Sequence, residues 1–156
     1  MALAQLISQA YDSVLSSVSD YAGDVSAREA WDALGEDASA VVIDVRTQPE
    51  WQFVGVPNLA SLKRKLITLS WRLYPDMDKN QSFLTEMDAR SIDKETPIFM
   101  LCRTGVRSRD AAVAATKHGY KYCFNIAHGF EGDANKEGIR GDVNGWKAEG
   151  LPWQQM

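Results

Sequence analysis

The sequence predicts an α/β fold in which a central, mostly parallel sheet carries helices on both faces. Three observations predict it. Ile98-Phe99-Met100-Leu101 is the continuous apolar run of a strand buried on both sides, with Pro97 at its start and Cys102 at its end. It is followed by a helical pattern from Ser108 to Lys117, in which Ala111, Ala112, Ala114 and Ala115 are good helix formers small enough to pack on a sheet, before Gly119 stops it. A second apolar run, Ala40 to Val45, comes after Ser26-Ala27-Arg28-Glu29, a capping box with Val25 as staple residue, which opens a helix expected to reach about Leu34.

Taken in order, Leu3, Leu6, Ile7, Ala10, Tyr11, Val14, Leu15, Val18 and Tyr21 fall on one helical face, with Ser, Gln and Asp opposite. This predicts an amphipathic helix within residues 1–24, packed on the domain or docking a second copy or a partner, with Asp20 to Asp24 as a hinge. The segment has no basic n-region and no contiguous apolar core, so it is not read as a signal peptide. No stretch approaches the roughly 20 apolar residues of a membrane span.

The strand over Ala40–Val45 is expected to bring Asp44 and Arg46 to the same sheet edge as Cys102, with Arg46 paired to Asp44 or Glu50 and Asp44 supporting the loop rather than reacting. Leu62 to Leu73 is predicted as a helix ended by Pro75, with Lys63, Arg64 and Lys65 as a solvated face. Phe83 to Arg90 is another short helix. Tyr120 to Ile126 reads as a strand containing Cys123 as a small buried hydrophobe. Glu131 to Gly145 is a polar surface loop, placed so that it is able to cover an active-site mouth. Within it Asp133 to Gly138 partly imitates a calcium loop, but Asn144 stands where the bidentate Glu is needed, and no metal is expected.

The chemistry concentrates in Cys102-Arg103-Thr104-Gly105-Val106-Arg107-Ser108, a strand-loop-helix turn of the kind that binds ligands at the carboxyl ends of parallel strands. Its backbone N–H groups are able to curl into an anion-binding nest, and the following helix points its positive end the same way. Such surroundings, with Arg103, Arg107 and Arg109 adding positive charge, favour a thiolate, the nucleophilic form of cysteine. Gly105 permits a backbone conformation closed to other residues, and guanidinium groups grip tetrahedral oxyanions in bidentate fashion.

These residues resemble the rhodanese family, in which the nucleophilic cysteine opens a six-residue loop of the form Cys-Arg-x-Gly-x-Arg followed by Ser and a helix. The resemblance extends to Asp44-Val45-Arg46, Glu50-Trp51 and Gly55-Val56-Pro57 upstream, and to Asn125–Phe130, Gly145-Trp146 and Gly150-Leu151-Pro152 downstream. It implies a three-layer rhodanese-like domain over residues 25–153, leaving 154–156 as a tail. Two departures stand out: Phe53 to Leu59 lacks the family's usual His before Ile-Pro, and His128 occupies a position where a glycine is common.

The resemblance implies a sulfurtransferase that carries sulfane sulfur as a persulfide on Cys102, from a small anionic donor such as thiosulfate to a thiol, cyanide or protein acceptor. Arg103, Thr104, Gly105, Val106, Arg107 and Ser108 would bind substrate, Arg107 chiefly, with Asp44, Arg46 and His128 in support. No cofactor is required. The alternatives are a cysteine-dependent phosphatase or arsenate reductase, and a non-catalytic binding module. The phosphatase form needs its arginine six positions after the cysteine, where this chain has Ser108. Composition agrees with one domain: 156 residues, 45% of them hydrophobic. A net charge of −4 argues against nucleic acid as a partner. Two cysteines forming neither a CxxC pair nor a disulfide framework point to a reducing, cytoplasmic setting.

Overall fold

A computed structural model describes residues 2–15 and 19–156; the Leu15 side chain and Val18, expected on the N-terminal apolar face, lie outside the described residues. Helix α1 (Leu3–Leu15), strand β1 (Gly23–Val25), helix α2 (Ala27–Glu36) and strand β2 (Val41–Asp44) lead to a π-helical turn, Glu50–Val54, strand β3 (Val56–Pro57) and a 3₁₀ turn, Ala60–Leu62. Short strands β4 (Ile67–Thr68), β5 (Arg72–Leu73) and β6 (Asp78–Lys79) come next. Helix α3 (Phe83–Asp88), strand β7 (Pro97–Leu101), helix α4 (Val106–Lys117), strand β8 (Tyr122–Ile126) and strand β9 (Trp153–Gln154) complete the chain.

The main sheet has the order β1-β8-β7-β2-β4, and each neighbouring pair is parallel. All five residues of β7 are buried, as a central strand covered on both faces requires. Side-chain alternation splits the core. Phe99, Leu101, Phe124 and Ile126 meet α1 and α2 on one face, where the Phe99 and Phe124 rings stack with centroids 5.1 Å apart. Ile98, Met100, Cys102 and Cys123 face Phe83 and Met87 of α3 and the alanines of α4 on the other. This is the expected three-layer arrangement.

Local signals set most of the helix boundaries. The capping box forms as read, the Ser26 hydroxyl accepting from the Glu29 N–H at 3.0 Å and the Glu29 carboxylate accepting from the Ser26 N–H at 3.0 Å. Leu3, Leu6 and Ala10 seat α1 in the same core as α2, while Tyr11 turns outward. The segment expected as a hinge, 20–24, runs instead into β1, which extends the sheet beside β8. Gln154, expected in a tail, pairs with Val56 across β3 and β9.

The helix expected over Leu62 to Leu73 does not form. Lys63 takes a left-handed conformation with φ 56°, Ile67–Thr68 adds to the sheet edge beside β2, and Arg72–Leu73 forms a hairpin with Asp78–Lys79. Ile67, Leu69, Trp71 and Leu73 alternate with Thr68, Ser70 and Arg72 at the strand period, and strand pairing outweighs helix propensity here. Nor is Arg64 part of a solvated face. Its guanidinium donates to the carbonyls of Leu34, Asp37 and Ala40 at 2.7, 2.7 and 2.8 Å, satisfying acceptors at the end of α2.

Candidate active site

Strand β7 delivers Cys102 to the carboxyl edge of the sheet, and the loop returns at once into α4. The Cys102 sulfur, in a residue only 1% exposed, receives the Gly105 N–H at 3.1 Å and stands 3.1 Å from the Ser108 hydroxyl. Gly105 caps α4 with φ 108°, and a Cβ there would run into the Ala127 carbonyl, so the loop closes only around glycine. A cysteine at the positive end of a twelve-residue helix, with an N–H aimed at its sulfur, is placed to hold negative charge.

The outer side of the loop is held by the turn after β8. The Cys102 carbonyl accepts from the Phe130 N–H at 2.8 Å, and the Arg103 carbonyl accepts from Glu131 and Gly132 at 3.0 and 3.1 Å. A Cβ on Gly129 would strike both of these carbonyls. Within this turn His128 is exposed, as is Arg103 on the loop. Val106 is 68% exposed and Thr104 half-buried, so they form the outer surface of the loop while Gly105 and Ser108 form its interior.

Arg107 pairs with Glu50, donating through Nη1 to Oε1 at 2.7 Å and through Nη2 to Oε2 at 2.9 Å. Burial alone would raise the Glu50 pKa, but the hydrogen bonds and charge of Arg107, with help from Thr47, hold it below the ordinary carboxylate range. Burial likewise opposes the charge on Arg107, and the hydrogen bonds and charge of Glu50 more than offset it. Two of the five guanidinium hydrogens are thus committed to Glu50.

Asp44 and Arg46 form the buried pair expected of them: Arg46 Nη2 meets Asp44 Oδ2 at 2.7 Å and both side chains are fully buried. The same nitrogen donates to the Gly55 carbonyl at 2.7 Å, and the guanidinium lies 4.4 Å from the Phe130 ring centroid. Arg46 therefore ties β2 to the segment after the π-helical turn and to the turn that backs Cys102. Three site residues escaped the sequence reading: Asn125, which faces Ser108 at 2.6 Å; Asp24, which accepts from Asn125 at 3.0 Å; and Glu50 as the partner of Arg107. One signal was available for Asn125, a polar residue within the apolar strand Tyr122–Ile126.

Cys123 lies in β8, fully buried, and burial pushes its thiol up to about 12. In the 131–145 loop, Asp133 is engaged by Asn144, whose side chain donates to it at 2.9 Å and accepts from its N–H at 2.8 Å. Among the described residues no group of three or more His, Cys, Asp or Glu is gathered as metal ligands. No helix among them is long and apolar enough to cross a membrane.

The profile of the STR4 middle domain matches residues 22–156. The chain belongs to that family. An uncharacterized protein of Rickettsia conorii is 41% identical over 130 residues, covering 83% of this chain and 95% of its own. The chloroplastic protein named thylakoid rhodanese-like of Oryza sativa is 32% identical over 141 residues, 90% of this chain but 27% of that longer protein. Among solved structures, Rv0390 from M. tuberculosis superposes with a TM-score of 0.81 at 44% identity, covering 87% of this chain and 99% of that one. The polysulfide-sulfur transferase homodimer of Wolinella succinogenes shares the fold, with a TM-score of 0.60 and 19% identity over 94% of this chain and 90% of that one. This STR4-type chain thus has a rhodanese-like fold.

Proposed function

We propose that this rhodanese-like domain is a sulfurtransferase in which Cys102 carries sulfane sulfur as a persulfide. The observation that carries the reading is the Cys102 sulfur itself, seated at the end of β7 with the Gly105 N–H and the Ser108 hydroxyl each 3.1 Å away. A thiolate there attacks the outer sulfur of thiosulfate, sulfite leaves with the bonding pair, and the persulfide anion remains. Loop N–H groups and the helix end then favour the negative charge throughout. A thiol, cyanide or a protein thiolate takes the outer sulfur and returns Cys102 to its starting state.

Arg103, exposed at the loop surface, and the uncommitted hydrogens of Arg107 are the donor-binding groups of this reading. A phosphatase reading asks the loop arginine to grip a phosphoryl group, yet here two of its donors are spent on Glu50 and it stands one position too early. The test is intact mass after incubation with thiosulfate and, separately, with phosphate esters. A gain of one sulfur atom from thiosulfate supports transfer chemistry; release of phosphate without sulfur uptake refutes it.

A further inference from the structure

Behind the Cys102 sulfur the Ser108 hydroxyl continues into a buried polar chain, to which the transfer chemistry above gives no separate role. Ser108 Oγ stands 3.1 Å from Cys102 Sγ and 2.6 Å from Asn125 Oδ1, with Ser108 and Asn125 both buried. Asn125 Nδ2 donates to Asp24 Oδ1 at 3.0 Å and to the Gly105 carbonyl at 3.1 Å, and Asp24 Oδ1 also accepts from the Tyr21 hydroxyl at 2.8 Å. These contacts fix the amide, because flipping it would turn the oxygen onto a carboxylate and a carbonyl. Asn125 Oδ1 must face Ser108. The hydroxyl then has one proton and two acceptors.

Which acceptor holds the proton depends on the charge at Cys102 Sγ. Hydrogen bonds to an ionised acceptor are roughly twice as strong as neutral ones, so a thiolate draws the proton to itself. In a persulfide the charge sits on the outer sulfur, Sγ becomes a neutral, weak acceptor, and the hydroxyl turns to Asn125. We infer that Ser108 is a catalytic residue that stabilises Cys102 as the leaving thiolate during sulfur discharge, with Asn125 as the positioning residue that holds its proton while sulfur is carried.

This inference rests on the persulfide reading. In discharge to cyanide, the cyanide carbon attacks the outer sulfur and forms a C–S bond. The S–S bond breaks, its electron pair goes to Cys102 Sγ, and thiocyanate leaves; charge is conserved and no proton is transferred. Ser108 donates to Sγ as that charge arrives. Asp24 and Tyr21 act from a distance by keeping the amide from rotating.

The test compares wild type, Ser108→Ala and Ser108→Thr, each loaded with thiosulfate, freed of excess donor and mixed with cyanide in a single turnover followed by intact mass. Ser108→Ala is expected to discharge about tenfold or more slowly, the loss of one hydrogen bond to a charged group, and Ser108→Thr to return most of the rate. In wild type, the Asn125 side-chain carbonyl carbon resonance is expected to move between the thiolate and loaded forms, and in Ser108→Ala to stay in place. A folded Ser108→Ala that loads and discharges at the wild-type rate overturns the role of Ser108 alone. An Asn125 resonance unmoved by loading of wild type overturns the proton exchange even if no Ser108 variant folds. A wild type that takes up no sulfur overturns the persulfide reading, and this inference with it.

Discussion

Arg107 and Glu50, 57 positions apart in the chain, meet fork to fork at 2.7 and 2.9 Å. The pair fastens the start of α4 to the π-helical turn, so it sets the position of the Cys102 loop as well as the charge near it. Both side chains are under one-fifth exposed, which places the pair between a screened surface bridge and a buried one. A double-mutant cycle over Arg107→Ala and Glu50→Ala is expected to give a coupling of about 1–3 kcal/mol in urea melts. A coupling below about 0.5 kcal/mol would show that solvent already screens it.

The same carboxylate gives the fold an acid limit. Glu50 is held below its ordinary value of 4.5 in the folded state, so the unfolded chain binds its proton more readily. Its contribution is therefore present above about pH 4.5 and is lost as pH falls through the lower folded value. Asp88 acts with the same sign, lowered by hydrogen bonds from Tyr120, His118 and Lys94. Wild type should lose melting temperature steeply below that point. Glu50→Gln should melt lower at neutral pH and show a shallower slope in acid, and Asp88→Asn measures how much of the remaining slope is its own.

The strand-loop-helix turn at Cys102 was legible in the sequence because its signals are local: cysteine, glycine and arginines follow one another between a strand and a helix that announce themselves. Where those groups point depends on partners far along the chain. The sequence makes Arg107 a candidate for donor binding, but its pairing with Glu50 follows only from the fold bringing the π-helical turn alongside α4. The Leu62–Leu73 segment failed for another reason. Leu62, Leu66, Leu69 and Leu73 fit a helical stripe while Ile67 to Leu73 fit a strand alternation, and the open edge of β2 decided between them.

Glycine substitutions should separate loop closure from ordinary helix propensity. A Cβ at Gly105 meets the Ala127 carbonyl and one at Gly129 meets the carbonyls of Cys102 and Arg103, both against backbone that has nowhere to go. Gly105→Ala and Gly129→Ala should each destabilise by several times the ~1 kcal/mol scale of a helix-propensity change. At Gly35, inside α2, no heavy atom lies within 4 Å of an added Cβ and φ is ordinary. Gly35→Ala should therefore stabilise, by roughly 0.5–1 kcal/mol. Thermal or urea melts that order the three variants differently would break the account of loop closure.

The two cysteines test the site most directly, because they share the sheet face that meets α4 but not their surroundings. Cys102 stands at the strand end with an N–H and a hydroxyl on its sulfur; Cys123 lies within β8, where its sulfur is 3.9 Å from the Tyr120 carbonyl and burial lifts the thiol to about 12. At neutral pH almost none of a thiol so raised is ionised, and the thiolate is the form that attacks sulfur. Cys102→Ser should abolish thiosulfate-dependent mass gain while keeping the fold. Cys123→Ser should retain most sulfur loading, at a stability cost of about 1–2 kcal/mol for a hydroxyl placed in an apolar position. Circular dichroism establishes that each variant is folded before loading is compared. Equal loss of loading in two folded variants would remove Cys102 from its role, since the differences in surroundings between the two sulfurs would then not set which one takes up sulfur.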